Sequence, residues 1–178
     1  MNRGKNAWLS GVIALAATLL ILFGSQTIWH TFAVAKPLDK AFEGIDGVQS
    51  VAWDKAKDDK PVTLQVSLVH ATNLQTTYTT VQDRAKSVLG KSAFQIAIHD
   101  NRTPELEQVY HELHFHIQEA IVTGGFGDMA DRIKEKAKAA GVDAQVYVDA
   151  QNVYLQLTKG ESDLYSVIPR LNNLTGVK

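Results

Sequence analysis

His111, His114 and His116 form the chain's main concentration of metal-ligating side chains, and Glu107 stands one helical turn before them. On a helix, Glu107, His111 and His114 share one flank with Gln118, while Glu105, Glu112, His116 and Glu119 share another. Imidazole and carboxylate together suit zinc or another divalent ion. Glu107, His111 and His114 are therefore the candidate metal ligands. His111-Glu112 begins like the metalloprotease helix signature, but that motif needs a second His at position 115, where Phe115 stands. A solvated polar flank is the simpler reading, and no metal site is assigned.

Other constellations carry less chemistry. The stretch Gly124-Gly125-Phe126-Gly127 can present backbone amides to an anion before a helix. It follows a helix rather than a strand and lacks the Lys-Ser/Thr of a phosphate-binding loop, so it reads as a helix break. There is no Cys, which excludes thiol nucleophiles, Cys-ligated zinc and a disulfide framework. No Gly-x-Ser-x-Gly elbow is present. Asp54, Asp58, Asp59 and Asp149 read as turn formers rather than as an acid-base pair. No catalytic residue and no cofactor are expected.

The elements that must position these residues begin after one long apolar run. Residues 7–32 carry no charged side chain between Trp8 and Trp29, and a helix over that interval rises about 31 Å, close to the thickness of a bilayer's hydrocarbon core. Each end carries a Trp where an interfacial ring sits, and residues 1–6 form a short basic tail with Arg3 and Lys5. The run is expected to be a single-pass transmembrane helix, an uncleaved signal-anchor. The competing reading is a signal peptide cut after Ala35 in Ala33-Val34-Ala35, which leaves a secreted domain. Both readings place the rest outside the cytoplasm of a bacterial-type cell, with the N-terminus inside. Lys36 and Lys40 balance the basic tail, so charge alone does not orient the segment.

Residues 36–178 are expected to be α+β in two related halves, 36–100 and 101–178. The first reads as a helix through Leu38, Ala41 and Phe42, then strands around residues 48–53 and 62–68. A helix capped by Asn73 or Thr76 and ending at Gly90 follows, and then a strand over 94–98. This helix-strand-strand-helix-strand order, over residues 37–98, is similar to that of ring-building domains in secretion and sporulation membrane complexes. The likeness implies self-assembly at a membrane.

The second half opens with the best-patterned helix. Thr103 caps it, Pro104 is its first residue, and Leu106, Val109, Tyr110, Leu113, Ile117, Ala120 and Ile121 fall on one side. A second helix runs from Asp128 to Gly141, and strands over 142–148 and 153–157 make a hairpin. Leu164, Val167, Ile168 and Leu171 read as a last helix. The two hairpins look like copies, since both contain Val-x-Leu-Gln (Val62 to Gln65, Val153 to Gln156) and both first strands end in Asp. The expectation is a duplicated helix-strand-strand-helix unit with mainly antiparallel sheets.

The formal net charge of −1 gives no basic face for nucleic acid. Together these readings favour a membrane-anchored, extracytoplasmic, non-enzymatic scaffold, with the membrane held through residues 7–32 and a protein partner or second copy bound outside. The alternatives are a metal-dependent enzyme, or a domain binding a lipid or cell-wall fragment.

Overall fold

The starts and ends read from the sequence for the helices after Asn73 and Thr103 are those the chain uses, while the next helix begins at Phe126, two residues before the expected Asp128. The computed structural model describes residues 41–54 and 61–170, and the chain divides into compact units of residues 1–41 and 42–178, of which the second is described here. Its elements among the described residues are β1 (Val48–Asp54), β2 (Val62–Leu68), α1 (Leu74–Leu89), β3 (Phe94–His99), α2 (Pro104–Thr123), α3 (Phe126–Ala139), β4 (Asp143–Val148), β5 (Asn152–Lys159) and β6 (Ser162–Pro169). The Asn73 side chain accepts the Thr76 amide at the start of α1, and the Gly90 amide closes its end on Lys86. Thr103 accepts the Leu106 amide before α2, Glu105 and Glu107 face the positive end of its dipole, and left-handed Gly124 ends it.

Two sheets result. In the first, of order β1-β2-β3, β1 and β2 are antiparallel with a bulge between Val48 and Ser50. β2 and β3 are parallel, and a parallel neighbour needs a crossover, which α1 supplies. The register puts Val51 and Trp53, Leu64 and Val66, and Ile96 and Ile98 on one face. Only the central β2 members of that row are fully buried.

The second sheet is the antiparallel meander β4-β5-β6. Val153, Leu155 and Leu157 on β5, with Ala144, Leu164 and Ile168 beside them, meet Leu106, Leu113 and Ile117 of α2 and Met129 and Ile133 of α3 in one continuous core. The opposite face is covered too. Tyr154 stacks edge-on against Tyr78 of α1 at 5.8 Å, and Gln156 and Tyr165 bond to the backbone of Ala71. Gly47, with φ +73°, lies so close to the same loop that a Cβ there would meet Ala71 Cβ at 2.4 Å.

Two expectations are corrected. The duplicated helix-strand-strand-helix unit is not formed: Leu164, Val167 and Ile168, expected on a last helix, lie in β6, and Leu171 lies outside the described residues, so the described second half runs helix, helix and three strands. Gly160, with φ +60°, makes a tight turn between paired Lys159 and Ser162, and Leu164, Ser166 and Ile168 then alternate onto the core face. A short apolar run that satisfies a helical spacing satisfies period two almost as well, and the turn decided between them. Even the matched hairpins differ in register, since Trp53 pairs with Leu64 while Val148 pairs with Val153, and the first sheet contains a parallel pair. The second correction concerns the membrane. Among the described residues no helix is long and apolar enough to cross one, and the run at residues 7–32, expected as a spanning helix, lies outside them. The α+β class stands, without a spanning helix among its elements.

Candidate interaction surface

α2 carries every candidate ligand, and its core stripe fixes where each one points. Leu106, Leu113 and Ile117 are fully buried against the second sheet, so Glu107 and His111 are left exposed and His114 lies partly buried at the flank. The His111 and His114 rings sit 5.9 and 5.5 Å from the Tyr110 ring. His114 Nε2 lies 3.3 Å from Gln118 Nε2, while its Nδ1 is buried without a partner. His116 turns to the other flank, 4.0 Å from Glu119. Among the described residues no group of three or more His, Asp or Glu is gathered so that it could hold a metal ion.

At the elbow between α2 and α3, His116, Glu119, Thr123, Gly125, Asp128 and Arg132 line a notch of about 50 Å³. Glu119 there accepts from Arg132 at 3.2 Å. The Gly124-Gly125 stretch acts as the break expected of it, although α3 starts at Phe126 rather than Asp128. Phe126 is packed against the core, with the Arg170 guanidinium 4.3 Å above its ring.

A second polar cluster joins the two halves. The Asp163 carboxylate, on a residue only 1 % exposed, accepts from the His70 amide and the Thr158 hydroxyl and lies 3.2 Å from His70 Nδ1. Asp100 accepts from the Tyr165 amide and is clamped by Arg102, which drives the guanidinium pKa up. Asn101 accepts from the Asp163 amide. These bonds cover the outer edge of β6 with side chains and leave every carboxylate oxygen named here satisfied, a structural joint rather than an open site. At the far end of the same face, burial and then the hydrogen bond to Asp149 push the Tyr154 hydroxyl up to about 12. Burial alone would raise Asp149, but the Tyr154 hydroxyl and the Asn152 and Gln151 amides outweigh it and hold its carboxyl below the usual range.

The feature that sequence reasoning missed is on the outward side of α2. Phe115 is 75 % exposed and Val122 86 % exposed; of the large apolar residues described, only Val88 joins them as exposed. They are seven residues apart and lie opposite the core stripe, so they share one line along the helix. The pattern of Leu106, Leu113 and Ile117 already implied that side of the helix, because it left Phe115 and Val122 no place in the core. Comparison of the chain with models of known protein families, with characterised proteins and with solved structures finds no match. The likeness to ring-building domains therefore rests on element order alone.

Proposed function

We propose that this chain is a non-enzymatic interaction protein acting outside the cytoplasm at a cell membrane, where residues 42–170 bind a protein partner or a second copy. The observation that carries this reading is the line of Phe115 and Val122 on the solvent side of α2. Large apolar side chains left in water along one helix line are more useful covered than bare, and an apolar line on a rigid helix is a common docking element. The membrane location is supported by the charge-free sequence between Trp8 and Trp29.

The test is photocrosslinking in membranes, with a photoreactive amino acid placed at Val122 of the full chain. A discrete adduct of fixed mass is expected, lost when Phe115→Ser is added, while the same group at Lys138 yields none. No adduct at Val122, or an equal ladder of adducts at both positions, overturns the reading.

A further inference from the structure

Resting on that reading, the charge pattern of α2 indicates what kind of chain covers it. Phe115 and Val122, one heptad apart, are the apolar members of the helix line Gln108, His111, Phe115, Gln118 and Val122, whose steps of three and four residues are those along which a second helix packs. The positions flanking that seam hold Glu112 and Glu119 on one side and Glu107, His114 and Ile121 on the other, and α2 contains no Lys or Arg anywhere. Among the described residues Glu112 makes no ion pair, Glu107 lies within the electrostatic reach of Arg102, and Glu119 is engaged by Arg132 and approached by His116. Asp128 adds a carboxylate to the notch that Glu119 and Arg132 also line.

We infer that the seam receives a cationic amphipathic helix, one presenting apolar residues at helical spacing with Lys or Arg beside them. Flanking charges set partner choice in paired helices, and an acidic rim selects a basic one. The same rim argues against a second copy. Antiparallel self-pairing centred between Phe115 and Val122 would stack each Phe on the other chain's Val, but it would place the edge bearing Glu112 and Glu119 against its own counterpart. Parallel self-pairing sets Glu107 against Glu112. Both arrangements put like charges side by side.

The full chain in nanodiscs of zwitterionic lipid can be titrated with two labelled synthetic helices. Both carry leucines at the seam spacing, one with flanking lysines and the other with flanking glutamates. The lysine helix is expected to bind, more weakly as salt is raised, and the glutamate helix to bind at least about tenfold more weakly. Phe115→Ser with Val122→Ser should weaken the lysine helix by about tenfold or more, and Glu112→Gln with Glu107→Gln by a smaller factor. The inference is overturned if the serine variant binds the lysine helix as well as the parent does, because the helix is then on the lipid. It is also overturned if both helices bind equally. Concentration-dependent dimerisation of the parent that the serine substitutions abolish assigns the seam to a second copy and also overturns it. A persisting Val122 adduct in membranes with no charge preference sinks this inference alone, whereas loss of the adduct sinks the broader reading with it.

Discussion

β2 and β5 carry the same Leu-Gln pair, and Leu64 and Leu155 are both fully buried, yet the glutamines meet different surroundings. Gln65 lies on a face open to solvent and bonds to His99. Gln156 is buried beneath the His70–Ala71 turn, with its amide nitrogen on the Ala71 carbonyl. The first sheet lies at the edge of the fold, while the second is enclosed between α2 and α3 on one side and, on the other, α1 with the His70–Ala71 turn that precedes it. A strand's own pattern sets which residues face inward on one side. What happens on the other face depends on whether the chain returns to cover it.

That contrast can be broken most directly in the core. Leu155→Ala should cost about 2–5 kcal/mol in urea unfolding, while Ile96→Ala, half-buried on the edge strand β3, should cost clearly less. Equal losses would mean the sheets are equally enclosed. Gly47→Ala probes the loop that closes the second sheet: a left-handed residue would be forced into backbone contact with Ala71, at a cost of about 1–3 kcal/mol, seen as a lowered urea midpoint.

Alkaline titration tests the enclosed face itself. The Tyr154 pKa is raised above its unfolded value, so its contribution is complete below about pH 10 and is lost as pH rises through about 12. Tyr165 is raised further, chiefly by burial, and extends the loss. Tyr154→Phe should flatten that part of the stability profile and cost about 1 kcal/mol at neutral pH through the lost bond to Asp149. The smallest expected effect is at the opposite extreme of burial. Phe115→Ser with Val122→Ser should move unfolding stability by no more than about 0.5 kcal/mol, since neither side chain packs in the core, even though the proposed docking depends on both. A larger loss would show that the seam is already covered by this chain.

Much of the architecture was legible because its causes are local. Asn73, Thr103-Pro104 and the glycines after α1 and α2 act through hydrogen bonds within a few residues of themselves, and β2 alternates over its whole length. The candidate ligands were legible as residues but not as a site, because a helical flank gathers donors only when a neighbouring element supplies more of them. Asp163, His70, Asp100 and Arg102 offered no sequence motif at all. Their bonds join residues far apart in the chain, the His70 and Asp163 contact spanning 93 positions.

The sequence by itself determined the α+β character, most element starts, the side of α2 that is buried, and the absence of cysteine chemistry. Those depend on short-range periodicity, capping and residue type. Only the tertiary structure decided that residues 162–169 pair as β6, that the second sheet is covered on both faces, and that no other described element comes over Phe115 and Val122. Each of these depends on which surface a segment finds opposite it, and a short apolar run holds that choice open until the chain closes around it.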